Sequence, residues 1–222
     1  MPAELLSEHS ATLVRPVRAP AGVRLRAEWR LKLGLYVVLS VAFCAAYYLV
    51  GNYPLRTPTV LPMTAVDRAV GFDPRWVWVY ESVFMLIPLG AMLATRRTEL
   101  LTYARAFVVL SVFGVAFFVV FPTQCPRPAG YVGGAYAVMA AIDPATYAFP
   151  SMHVALALQS VLFGGTVLRG ARGVAWRVCA GVWLLLIAYA TLATKQHYAV
   201  DLLAGAAAAG AVHLVLIRRR VA

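Results

Sequence analysis

The sequence predicts an all-α protein that spans a membrane as a bundle of six transmembrane helices behind a basic tail. Three observations carry this. Hydrophobic residues make up 62% of the 222 and charged residues 13%, against a charged share of about 25% in soluble domains. The apolar residues come in six runs, 33–52, 76–95, 103–121, 151–168, 174–193 and 199–217, each near the roughly 20 residues that cross a bilayer as a helix. The 20 lysines and arginines stand in short clusters between those runs, which is the pattern of membrane topology. The net charge of +11 therefore reads as topology. With no aromatic-interleaved basic stripe, no nucleic-acid partner is expected.

Residues 1–30 hold Arg15, Arg18, Arg24, Arg26 and Arg30 but no apolar core. They read as a cytoplasmic tail on anionic headgroups, not a secretory signal, with His9 solvated in it. Residues 31–222 are expected to form the membrane domain. Arg30 and Lys32 precede the first run, and Tyr47, Tyr48 and Tyr53 crowd its far end as an interfacial belt. Pro54, Pro58, Pro62 and Pro74 make the 54–75 loop irregular, or at most one short surface helix. Trp76, Trp78 and Tyr80 read as a second belt; beyond it Glu81 is expected to face water and Pro88 to kink the second helix.

Arg96, Arg97 and Arg105 flank the turn into the third run. The connection 122–148 follows, 27 residues long, and that length marks it as functional. Tyr131, Tyr136 and Tyr147 within it read as belt residues. Arg169, Arg172 and Arg177 mark the turn into the fifth run. The sixth run holds His213, read as structural, and ends in Arg218-Arg219-Arg220. Cys44 and Cys179 read as small core residues; with Cys125 they show neither metal spacing nor the even count of a disulfide framework.

Fifteen of the 20 basic residues fall on one side of this threading; Arg56, Arg68, Arg75, Arg127 and Lys195 fall on the other. Both termini are therefore expected in the cytoplasm, in an inner or plasma membrane. The 122–148 connection and the starts of the fourth and sixth runs then meet on the outer face.

Ionisable groups at membrane depth are costly and mark a functional site by default. His197 and Asp201 are four residues apart and share one helix face. The carboxylate can fix the imidazole tautomer and make it a better base or nucleophile. Ser151, in the first turn of the fourth helix, suits an anion and is also a natural cap. Arg127 and Lys195 supply cations for phosphate oxygens, although Lys195 reads equally as a snorkelling residue. His153 alone would read as a packed core histidine. Beside His197, it makes a pair suited to phosphoryl transfer: one histidine attacks phosphorus and the other protonates the leaving oxygen. Fixed cations stabilise the transition state in that scheme, so no metal and no cofactor are expected.

Phe149-Pro150-Ser151-Met152-His153, followed by His197-x-x-x-Asp201, resembles the type-2 phosphatidic acid phosphatase (lipid phosphate phosphatase) superfamily. Its three motifs are Lys-x6-Arg-Pro, Pro-Ser-Gly-His and Ser-Arg-x5-His-x3-Asp, on a six-helix core. The resemblance covers nearly the whole chain after residue 30. It implies His197 as nucleophile, Asp201 as its orienting partner, His153 as general acid, and Arg127 with Ser151 as phosphate ligands. The implied substrate is a lipid phosphate that enters laterally from the membrane lipids. Three departures stand out: Val120 replaces the first-motif lysine, Met152 the glycine, and Ala190-Thr191 the Ser-Arg pair. Lys195 or Gln124 is expected to supply the missing phosphate contact.

The stretch Thr194-Lys195-Gln196-His197-Tyr198, with Val66 to Pro74 ahead of a Trp/Tyr-rich helix, resembles the branch that includes inositol phosphorylceramide synthases. That branch transfers a phosphoryl headgroup between lipids. Hydrolysis of a phosphatidic acid- or isoprenyl-phosphate-type lipid is thus the first expectation. Transfer of a phosphoinositol-type headgroup to ceramide or diacylglycerol is the second. A haem-binding electron-transfer bundle on His153, His197 or His213 would show a Soret band. An intramembrane serine protease on Ser151 and His197 lacks a Gly-x-Ser-x-Gly elbow and leaves one histidine idle. The sequence carries no signal of oligomeric state.

Overall fold

The computed structural model describes residues 20–128, 133–143 and 146–218. Arg15, Arg18, His9, Tyr131, Arg219 and Arg220 lie outside the described residues. The chain runs through α1 (Ala21–Arg26), α2 (Trp29–Asn52), strand β1 (Thr59–Val60), α3 (Ala65–Ala69), a 3-10 turn (Pro74–Trp76), α4 (Val77–Glu81), α5 (Val83–Leu93) and α6 (Arg97–Val120). Strand β2 (Thr123–Gln124), α7 (Gly134–Ile142), α8 (Met152–Val167), α9 (Gly170–Ala193) and α10 (Ala199–Val212) follow, and a π turn (His213–Ile217) continues α10.

The architecture is all-α, with five helical stretches long and apolar enough to cross a membrane: Trp29–Asn52, Pro74–Leu93, Arg97–Val120, Gly170–Ala193 and Ala199–Ile217. The expected fourth span is shorter. Helix α8 has 16 residues, about 24 Å at 1.5 Å per residue, less than the roughly 30 Å of a hydrocarbon core. The reason lies in its place. α8 packs on α5, α6, α9 and α10, and ten of its 16 residues are buried. The surrounding helices turn large apolar side chains outward instead, with Leu185 70% and Leu203 72% exposed. Such surface suits lipid, not water.

Small residues let the backbones close on α8. A Cβ on Gly205 of α10 would stand 2.3 Å from the Ser151 carbonyl, and one on Gly114 of α6 2.2 Å from the Met152 sulfur. Inside this packing several polar groups are paired, although Gln159 Oε1 has no partner among the described residues. Gln159 Nε2 donates to the Tyr103 carbonyl. Ser160 Oγ accepts from the Gly90 N–H and donates to the Leu86 carbonyl, two groups that flank Pro88. The break in the second span falls not at Pro88 but at Ser82, between α4 and α5. There the Ser82 hydroxyl bonds back to the Val79 carbonyl.

The connections are more ordered than expected. β1 and β2 pair in parallel, joining the 54–75 and 122–148 segments, and Thr123 also bridges Tyr147. Thr64 and Asp67 cap α3 reciprocally. Tyr48, Tyr53 and Trp78 are exposed, whereas Tyr80, Tyr136 and Tyr147 are buried and cannot form a belt. Tyr136 donates to the Thr194 carbonyl, a partner that lets its ring sit inside. Cys44 and Cys179 are exposed, not core. Lipid solvates the outer face of an apolar run, so hydropathy does not separate its two sides.

Candidate active site

Two turns build the centre. At the end of α9 the Thr191 carbonyl accepts from the N–H groups of Gln196 and His197, and Lys195 takes a left-handed φ of 57°. The chain thereby reverses sharply into α10. Tyr198 N–H donates to Asp201 Oδ2 at 2.7 Å, which closes the first turn of α10. On the other side Ser151 caps α8, its Oγ accepting from the Val154 N–H. The Ser151 N–H donates to the Asp201 carbonyl. The two helix starts are thus tied together, and each carries one histidine.

His153 Nδ1 lies 3.3 Å from His197 Nε2. His197 Nδ1 lies 2.9 Å from the Ala148 carbonyl oxygen. A carbonyl only accepts, so Nδ1 carries a proton and the reactive lone pair of a neutral His197 sits on Nε2, toward His153. His197 is 4% exposed. The two nitrogens stand in hydrogen-bond contact. Among the described residues no three His, Cys, Asp or Glu side chains gather as a metal site.

The remaining sequence candidates divide. Asp201 reaches the pair, with Oδ2 3.7 Å from His197 Nδ1; its other oxygen is buried with no hydrogen-bond partner among the described residues. The Arg127 guanidinium donates to the carbonyls of Ala140 and Asp143 and to Gln196 Oε1. It thereby staples the 122–148 connection to the turn that carries His197. Ser151 is fully buried, and its hydroxyl serves the cap. Lys195 neither snorkels nor stays free. Its ammonium donates to the carbonyls of Asp67 and Val70 at 2.8 and 2.5 Å, and burial lowers its pKa against the opposing charge of Asp67. Gln124 lies in β2, its carbonyl accepting from the Leu61 N–H.

Several residues of the centre escaped the sequence reading. Tyr80 Oη lies 3.0 Å from His153 Nε2 and 2.6 Å from Asp143 Oδ2. Tyr47 Oη donates to Asp143 Oδ1 at 2.7 Å. Asp67 Oδ1 accepts from the Ala199 N–H at the start of α10. The four-residue spacing of Tyr80 and Phe84, both in ring contact with His153, was the available signal. Cys125 donates weakly to Asp201 Oδ2, and burial beside that carboxylate pushes its thiol pKa up.

A cavity of about 500 Å³ opens against His153. Its wall is mostly apolar, from α2, α4, α5, α7 and α8, with Tyr47, Tyr48, Tyr80, Glu81 and Asp143 among its polar groups. Glu81 therefore belongs to this wall. A family model described as PAP2 superfamily matches residues 75–215, a stretch that contains Asp143, both histidines and Asp201. No curated protein and no solved structure matches the chain.

Proposed function

The chain belongs to the PAP2 superfamily, whose members are typically phosphatases and phosphotransferases, and we propose that it transfers the phosphoryl group of a membrane lipid phosphate through His197. The observation that carries this reading is the 3.3 Å approach of His153 Nδ1 to His197 Nε2, with His197 Nδ1 anchored on the Ala148 carbonyl.

In this scheme an arriving phosphate group parts the two rings and takes the place of their 3.3 Å contact. His197 Nε2 attacks phosphorus, the bond from phosphorus to the lipid oxygen breaks, and His153 Nδ1 gives that oxygen its proton. Water then attacks the phosphohistidine, His153 takes the water proton back, and phosphate leaves. Asp201 supports the imidazolium charge. Arg127 serves the phosphate either through its Nε, buried without a partner among the described residues, or by holding Gln196 in place.

The apolar cavity against His153 supports a lipid body, and the outward apolar faces support six passes through a membrane, with α8 the short central one. By the positive-inside rule the site then lies on the extracytoplasmic face. A second reading, transfer to an alcohol acceptor, draws on Glu81 and Asp143 in the cavity wall. Two carboxylates there would accept hydroxyl protons and repel a second phosphate.

Phosphate release from a panel of lipid phosphates and diphosphates, with His197→Ala and His153→Ala alongside, tests the proposal. Release that vanishes in both variants is the expected result. Activity surviving in His197→Ala would overturn the nucleophile. Label moving from a phospholipid headgroup onto added ceramide or diacylglycerol, without phosphate release, would establish the transferase reading.

A further inference from the structure

Both rings of the histidine pair are anchored at the nitrogen facing away from the other. For His197 the anchor is the Ala148 carbonyl. For His153 it is Tyr80, and behind Tyr80 stands Asp143. As a carboxylate Asp143 only accepts, and two phenols donate to it, Tyr47 on Oδ1 and Tyr80 on Oδ2. Tyr80 has a single hydroxyl hydrogen, and this arrangement places it on Asp143. The Tyr80 oxygen can then only accept from the ring beside it, so His153 Nε2 carries a proton.

We infer that Tyr80 and Asp143 are positioning residues that hold His153 in the Nε2–H form and make Nδ1 the nitrogen that exchanges a proton at the reacting oxygen. The inference rests on the histidine-pair reading above. Its proton count closes. A neutral His153 so held points a lone pair at the lone pair of His197 Nε2, 3.3 Å away, and a contact of that kind requires one proton between them. The resting pair thus shares one proton, and Asp143 supplies the balancing charge. During transfer that proton goes from His153 Nδ1 to the leaving oxygen, while His153 Nε2 and the Tyr80 hydroxyl keep theirs and Asp143 stays a carboxylate. The oxygen that attacks the phosphohistidine returns a proton to Nδ1. The other ionisable groups near the ring are Glu81, in the cavity wall, and Arg127, which donates to the Asp143 backbone carbonyl and not to its carboxylate.

The test is ring-nitrogen NMR of the full-length protein, labelled with 15N-histidine in lipid nanodiscs and assigned with His153→Gln and His197→Gln. The expected wild-type spectrum shows His153 Nε2 protonated. Asp143→Asn adds amide hydrogens that donate to the Tyr80 oxygen and turn the hydroxyl toward His153, so that Nε2 accepts and loses its proton while Nδ1 keeps the shared one. Tyr80→Phe keeps the aromatic ring, removes one oxygen and leaves a mixture of tautomers, so it reports even where Asp143→Asn disturbs the end of α7. His153 remaining Nε2–H in both variants would overturn the inference.

In a second arm, phosphate release from phosphatidic acid vesicles should fall about 10- to 100-fold in kcat for both variants, with KM within about twofold. An unchanged kcat would also overturn it. Tautomers that shift as expected in a protein releasing no phosphate would keep this inference and remove the lipid phosphatase reading.

Discussion

His197 Nδ1 and Asp201 Oδ2 stand 3.7 Å apart, beyond hydrogen-bond length, because that oxygen already accepts from the Tyr198 N–H at 2.7 Å. The carboxylate acts on the imidazole as a nearby charge, while the Ala148 carbonyl fixes its tautomer. Two substitutions separate the roles. Asp201→Asn keeps an oxygen for Tyr198 and loses the charge, so kcat should fall roughly 10- to 100-fold, a Coulombic loss of about 1–3 kcal/mol. Asp201→Ala loses the cap as well, and its stability should drop by about a further 1 kcal/mol. Equal melting temperatures for the two variants would remove the cap from this account.

The contact of α10 with α8 should be equally specific. A Cβ at Gly205 meets backbone, the Ser151 carbonyl, and backbone cannot swing aside. Gly205→Ala should cost about 1–3 kcal/mol and part the two helix starts that bring His153 to His197, lowering activity with stability. Gly210, on the same helix, has nothing within 4 Å of its Cβ position. Gly210→Ala should be neutral or stabilising by up to about 1 kcal/mol. Thermal melting and phosphate release on both variants decide it.

Helices, loops and the histidine pair were legible in the sequence because each has a local signal: a run of apolar residues, a cluster of prolines, a His-x-x-x-Asp spacing. The partners of the pair were not. Asp143 reaches His153 through Tyr80, 63 residues away in sequence, and neither residue carries a motif. Tyr80 follows Trp76 and Trp78, where a membrane protein also places belt residues. Met152 is a further case. It reads as a departure from a Pro-Ser-Gly-His motif, yet its side chain packs against Gly114, so the space is kept by a glycine on another helix. Met152→Gly should therefore open a cavity and cost about 2–4 kcal/mol, measured as loss of stability with the histidine contact retained.

Lys195 illustrates how a cation in the turn that carries His197 can serve the fold. Its ammonium is taken by the Asp67 and Val70 carbonyls, so it ties the 54–75 loop to the start of α10. Lys195→Met should remove charge-assisted bonds of about 1.5–3 kcal/mol each and lower the melting temperature, while KM for a lipid phosphate stays within about twofold. A phosphate ligand would give the reverse: KM raised and melting unchanged.

The same tether makes an acid-sensitive joint. Burial raises the pKa of Asp67, but hydrogen bonds from the Thr64 side chain and backbone and from the Ala199 N–H, with the charge of Lys195, outweigh it and leave the carboxyl below its usual range. The folded protein thus holds this proton less tightly than the unfolded chain, which titrates near pH 4. Between the two values the unfolded state binds more protons, so stability rises with pH there. The contribution is full above the unfolded value and is lost as pH falls through the folded one. Melting curves between about pH 3 and pH 6 should show this loss in the wild type and a shallower slope in Asp67→Asn, whose amide does not titrate in that range. Parallel slopes in the two proteins would show that the joint between α3 and α10 does not depend on the charge of Asp67.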